Sequence, residues 1–140
     1  GSTLVFSGTK KDADWLCKIL KNQEIPVSTI HSDRSQKERL KALSGFREGK
    51  HRVLIATDIA SRGIDVPGIE HVVNYDVPST VEEYIHRAGR TARADTKGLV
   101  STIATWQDLP FIRQAEAAIG EELPRCSVAG VKPYEEGKTR

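Results

Sequence analysis

Arg87, Arg90 and Arg93 follow one another at a strict spacing of three in EEYIHRAGRTAR, residues 82–93, with His86 before them and Gly89 among them. A guanidinium presents a planar fork of donors that suits phosphate oxygens, so three of them on one short stretch point to anion recognition. On a helix, steps of three turn the side chain through about 300°, which fans the arginines over one sector of surface. Gly89 removes a side chain between them and lets another backbone or a ligand approach. An ordinary solvated face would mix in acids to offset the repulsion. The formal net charge of the chain is only +2, so the cluster is a local concentration rather than part of a general excess. On periodicity alone, a basic solvated face accounts for the pattern as well.

ATDIASRGIDVPG, residues 56–68, is the second stretch with unusual chemistry. It begins at the end of an apolar run, where Thr57 and Asp58 emerge, and continues through Arg62-Gly63 to Asp65. A short helical turn closed by a glycine explains much of it, with Asp58 as a cap and Arg62 as its ion-pair partner. Asp65, a loop carboxylate between glycines, suits a sugar hydroxyl as well as a backbone donor.

The elements that position these residues alternate between strand and helix patterns. Strands are expected at Thr3–Ser7, Pro26–Ile30, Arg52–Thr57, His71–Asp76 and Gly98–Thr105. Between the first two, Trp15, Leu16, Ile19 and Leu20 repeat at helical spacing. Ser35 and Glu38 form the serine and glutamate of a capping box, followed by the stripe Leu40, Leu43 and Phe46. Ser79 and Glu82 read as a second capping box ahead of the arginines, and Pro110 as the first residue of a last helix ending near Gly120. This alternation predicts an α/β fold, a parallel sheet of about five or more strands with helices on both faces. Ligands of such sheets gather at the carboxyl ends of the strands, which are the loops after Ser7, Ile30, Thr57 and Asp76.

Length and composition bound the rest. At 140 residues the chain is one domain with room for a single sizeable core. Hydrophobic content of 38% beside 29% charged residues excludes a disordered tail. No apolar run approaches the roughly 20 residues of a membrane span, so no membrane partner is expected. Cys17 and Cys126 stand far apart and outside any C-x-x-C pair, which argues against zinc and against a disulfide framework. Cys17 reads as a core residue, and a reduced, intracellular setting fits both; nucleus, nucleolus and cytoplasm are not distinguished. A pI near 8.6 permits nucleic-acid binding without demanding it. Residues 1–124 read as the domain and 125–140 as a polar tail or linker.

ATDIASRGIDVP followed by NYDVPSTVEEYIHRAGRTAR resembles motifs V and VI of DEAD-box ATP-dependent RNA helicases, in order and spacing. LVFSGTK resembles motif IV, and HSDRSQKER, with Gln36 and Arg39, the Q-x-x-R of motif IVa. The match runs from about Leu4 to Ile119, and the histidine-first form of motif VI is that of the DEAD-box group. The resemblance implies a second, C-terminal RecA-like domain. A first, N-terminal RecA-like domain would supply the phosphate-cradling G-x-x-x-x-G-K-[ST] loop and the D-E-A-D carboxylates that hold Mg²⁺, neither of which occurs here. The chain alone is therefore expected not to hydrolyse ATP.

Carried over by position, Arg90 and Arg93 resemble arginine fingers that reach the γ-phosphate of ATP, and Asp65 the aspartate that contacts its ribose. His86 and Arg87 resemble residues that bind the first domain and couple the nucleotide to closure. Thr9, Arg39 and Thr57 resemble contacts to the sugar-phosphate backbone of RNA, which hold a strand without reading its sequence. Read without the family, Thr9 with Asp12 is a helix cap and Arg39 a helix-face charge. Gln36 reads as support for Arg39. No metal ligand is assigned.

The chain departs from the family pattern at Ala92, where glycine is common, at Ala88, where a larger aliphatic is usual, and at Ser32, where a glycine follows the histidine. None removes a charge from the site, though Ser32 adds a Cβ near the RNA. The expected function is local, ATP-dependent unwinding of short RNA duplexes. The rival class is a non-catalytic RNA- or protein-binding adaptor, for which ligands to a γ-phosphate serve no purpose; a DNA helicase is a weaker rival.

Overall fold

The computed structural model describes residues 1–57, 68–88 and 98–124. Among them, β1 (Thr3–Ser7), β2 (Val27–Ile30), β3 (Val53–Thr57), β4 (His71–Asn74) and β5 (Leu99–Thr102) form one sheet in the order β2-β3-β1-β4-β5. Every neighbouring pair is parallel. The helices are α1 (Lys10–Asn22), α2 (Gln36–Arg47), α3 (Val81–Ala88) and α4 (Leu109–Ile119), the last preceded by a 3₁₀ turn at Trp106–Asp108. The expected α/β fold with helices on both faces is what forms.

Register divides the side chains between two cores. Phe6 lies beside Ala56 and Asn74, and Ile30 beside Ala56, so these share one face. There Leu4, Phe6, Ile30, Leu54 and Val72 pack against Ala42, Leu43 and Phe46 of α2. On the opposite face Val27 and Ile55 meet Ala13 and Cys17 of α1, with Leu16 and Leu20 at the margin. A central β3 covered on both sides explains its unbroken apolar run.

Several expected details shift. The strands stop short of their sequence limits: β4 ends at Asn74 rather than Asp76, and β5 at Thr102 rather than Thr105. Trp15 and Ile19 do not face the core; they are 54% and 37% exposed. The small residues Ala13 and Cys17 occupy that contact, because α1 lies close against the sheet and larger side chains are left to its far side. Leu40 is likewise exposed, and the buried stripe of α2 is Ala42, Leu43 and Phe46. The Ser79–Glu82 cap is off by one residue. Thr80 is the capping residue, its Oγ1 accepting from Glu83 N at 3.0 Å. A one-residue slip leaves the same spacing in the sequence, so the pattern alone did not separate the two.

The remaining termini form as read. Ser35 Oγ accepts from Glu38 N at 3.1 Å while Glu38 Oε1 accepts from Ser35 N at 3.0 Å. That backbone donor, more than Arg34 nearby, holds the Glu38 carboxyl below its usual range. Thr9 caps α1, with Oγ1 accepting from Asp12 N at 3.1 Å. Pro110 is the second residue of α4 rather than its first, where its missing N–H still costs no helical bond. Gly120 closes α4 at φ +78°, a conformation that side chains with a Cβ rarely adopt.

Candidate functional site

The connections that leave β1 and β4 run to opposite faces of the sheet. From β1 the chain enters α1 on one face, and from β4 it enters α3, whose Arg87 lies over the Phe6 ring on the other. Such a reversal opens a crevice outside the carboxyl ends of the two strands, the usual ligand position in open parallel sheets. Polar groups of this chain converge there.

Asp76 joins the two sides. Its Oδ2 accepts a hydrogen bond of 2.6 Å from Gly8 N, across 68 residues of sequence. A Cβ on Gly8 would stand 3.1 Å from that same oxygen, so glycine admits the carboxylate to its backbone. The carbonyl of Asp76 in turn accepts from Arg87 Nη1 at 3.4 Å.

Arg87 is only 2% exposed. Its Nη1 donates to Asn74 Oδ1 at 2.8 Å, its Nε lies 3.7 Å from Glu83 Oε1, and its guanidinium carbon sits 4.5 Å from the centre of the Phe6 ring. Burial lowers its pKa to about 10, still well above neutrality, so it stays charged in the interior. Asn74 completes the set by donating from Nδ2 to Thr102 Oγ1 of β5 at 3.1 Å. A buried charge has its desolvation cost offset only while these partners stay in place, which ties the end of α3 to β4.

Thr57 ends β3 and lies beside Ser7 in register, with Thr9 two residues beyond Ser7. The two threonines therefore occupy neighbouring strand ends. Thr9 is exposed, and its hydroxyl oxygen already serves as the α1 cap, so the cap reading of the sequence is satisfied. Ser7 Oγ donates to Thr9 O at 3.1 Å and fixes the turn between them. Arg39 is half-buried in the first turn of α2, on the β2 side of the sheet. His86 is exposed on α3. Asp58, Asp65, Arg90 and Arg93 lie outside the described residues.

A second polar cluster, not singled out in the sequence, shapes the segment between β2 and α2. His31 is buried, and its Nδ1 accepts from Asp33 N at 3.2 Å. A backbone N–H can only donate, so the ring proton sits on Nε2 and points at Asp14 Oδ1, 2.9 Å away. Arg34 closes the cluster, donating to Thr29 Oγ1 at 2.9 Å and lying 3.5 Å from both Asp14 and Glu38. The available signal for both clusters was polar residues at the ends of apolar runs: Asn74 after HVV, and His31 after PVSTI.

Comparison with known proteins agrees with this arrangement. Residues 1–95 match the family described as the helicase conserved C-terminal domain. Among solved structures, the E. coli DEAD-box protein SrmB, crystallised with regulator of ribonuclease activity A, superposes with a TM-score of 0.87 at 29% identity, over 99% of this chain and 82% of that one. A DEAD-box protein from the hyperthermophile Methanococcus jannaschii is 40% identical with a TM-score of 0.78, over 86% of this chain and 33% of its own. The second domain of the DEAD-box helicase Mss116p, bound to an RNA duplex, is 32% identical with a TM-score of 0.77, over 89% of this chain and 50% of its own. This chain thus spans about a third of the archaeal protein and half of the Mss116p chain.

Proposed function

We propose that this chain, which belongs to the helicase conserved C-terminal domain family in its DEAD-box branch, is the second half of an ATP-dependent RNA helicase. A first RecA-like domain closes on it around ATP and RNA, and the closed state bends one strand so that a short duplex loses base pairs locally. Residues 1–124 are the domain and 125–140 a polar tail or linker. The protein works inside the cell, where ATP and RNA are.

In this reading Arg90 and Arg93 stabilise the charge that spreads over the transferring phosphoryl oxygens, which fixed guanidinium groups do at no cost in reorganisation. Asp65 holds the ribose. His86 and Arg87 couple the nucleotide to the first domain, His86 from the exposed side of α3 and Arg87 from inside, by holding that helix on Asn74. Thr9, Arg39 and Thr57 hold RNA through its backbone. RNA is favoured as the ligand because the second domain of Mss116p carries an RNA duplex. Mg²⁺ neutralises phosphate charge when bound. The ion is assigned to carboxylates of the first domain, as the family resemblance implies.

The observation that carries the reading is the anchor at Arg87. Its bond to Asn74 fixes the last turn of α3, and Arg90 follows three residues later. Fingers must be placed before the reaction to accelerate it, and an anchored helix end ahead of them in the chain supports that reading.

The test is RNA-stimulated ATP hydrolysis by the protein with both RecA-like domains, wild type against Arg90→Lys. Lysine keeps the charge and loses the fork. A lost finger removes a factor of about 10³ or more in turnover. Equal rates would take Arg90 out of the mechanism, and no turnover in either protein would favour the adaptor.

A further inference from the structure

The outer face of α1 has no role in the site described above. At 100° per residue, Lys11, Trp15, Lys18 and Asn22 fall within about 60° of one another. They lie on the side of α1 away from Ala13, which packs on the sheet. All four are exposed, Trp15 by 54%. An indole turned to solvent with a lysine about one helical turn to either side is a flat platform flanked by cations.

Two acids border this face: Asp12, one turn before Trp15, and Asp14, which is already engaged. Asp14 binds the His31 ring at 2.9 Å and Arg34 at 3.5 Å. Lys11 and Lys18 have no acidic partner among the described residues, whereas Lys10 is paired with Asp33. Beside the platform lies a shallow cleft of about 350 Å³ lined by Asp14, Cys17, Lys18, Lys21, Asn22 and Arg34. Lys18 and Lys21 line it with no acidic partner among the described residues, whereas its Arg34 and Asp14 are engaged with each other.

Position decides what such a surface would hold. Thr9 caps the first turn of this helix, and Trp15 stands about 9 Å further along its axis. Arg34, at the far wall of the cleft, belongs to the segment that leads into Arg39. The face therefore begins on the same helix that Thr9, an assigned RNA contact, caps. Its chemistry is that of single-strand binding: cations for the backbone and an aromatic ring on which any base can stack.

We propose that this face of α1 takes the single-stranded RNA flanking the helicase site, with phosphates at Lys18 and Lys21 and a base stacked on Trp15. The proposal rests on the RNA-binding reading above. It adds a surface the motifs do not contain, and it makes the chain grip longer strands more tightly than the site itself requires.

The test titrates this chain with oligouridylates of about six and about fourteen nucleotides, lengths at the low and high ends of single-strand site sizes. Trp15 emission is followed in a Trp106→Phe background. The longer strand is expected to bind more tightly and to quench Trp15. Trp15→Ala should weaken the longer strand by roughly tenfold and leave the shorter one unchanged, since stacking of one base is worth about 1–3 kcal/mol. Trp15→Phe, which keeps a ring, should retain most of the gain. Lys18→Gln with Lys21→Gln should lower the salt dependence for the longer strand by about 0.7 in log–log slope per lost phosphate contact. Trp15, Lys18, Lys21 and Trp106 are exposed, so the variants are expected to fold, which circular dichroism checks. Binding of both lengths with Trp15→Ala silent, or an equal loss for both, overturns the surface and leaves the RNA reading intact. Binding of neither length by the wild type overturns the surface; the RNA reading falls only if the protein with both RecA-like domains and ATP also fails to bind.

Discussion

Arg87 shows how one residue can be legible in type and illegible in environment. Its place in a run of three arginines marked it as chemistry facing outward, yet it is the one among the described residues that the fold draws inside, onto Asn74, Asp76 and the Phe6 ring. Its removal should therefore appear in stability before it appears in catalysis. Arg87→Met keeps the bulk and loses the charge-assisted bonds, each worth about 1.5–3 kcal/mol, and leaves Asn74 Oδ1 without its donor. We expect a loss of roughly 2–4 kcal/mol in urea denaturation of this chain. A change below about 0.5 kcal/mol, the size of an ordinary surface substitution, would show that the anchor is not formed in solution. Asp76 is tested separately. Asp76→Ala should speed hydrogen exchange at the Gly8 amide by about tenfold or more, while Asp76→Asn, which can still accept, should keep part of the protection. Unchanged exchange in the alanine variant would remove the 2.6 Å tie between the two loops.

Elements were readable where local rules are redundant and shifted where only one rule spoke. The Ser35–Glu38 capping box needs two reciprocal bonds and a helix behind it, and all three are present. Ahead of α3, Ser79-Thr80 and Glu82-Glu83 offer the same serine-or-threonine to glutamate spacing twice. Packing chose between them, because Tyr84 and Arg87 have to face inward. Thr80→Ala is expected to cost about 1 kcal/mol as a lost cap, and Ser79→Ala close to nothing. Equal effects in thermal denaturation would mean the helix starts in two registers. For α1, helical spacing gave the element but not its buried side. Apolar type pointed to Trp15 and Ile19, while close approach of helix to sheet favoured Ala13 and Cys17. The residue that hydrophobicity would bury is thus left outside, where it is open to a partner.

At the scale of the whole molecule, fold and family were both legible, for different reasons. Alternating strand and helix patterns suffice for a parallel sheet, and spaced motifs suffice for kinship. The polar contacts that organise the carboxyl edge were not legible, because Gly8 and Asp76 meet across 68 positions and no local pattern records a contact of that range. The same long-range logic extends to the partner domain. This chain carries an anchored helix leading to Arg90, but no phosphate-cradling glycine-lysine loop, and no acidic cluster able to hold an ion occurs among its described residues. A finger accelerates hydrolysis only of a phosphate that another surface presents. The chain alone should show ATP turnover no faster than buffer, with or without RNA, while remaining folded by circular dichroism. Joined to a first RecA-like domain, it should gain RNA-dependent turnover that Arg90→Lys abolishes. Turnover by the isolated chain would mean that a complete nucleotide site exists within these 140 residues, and the division of labour between two domains would have to be abandoned.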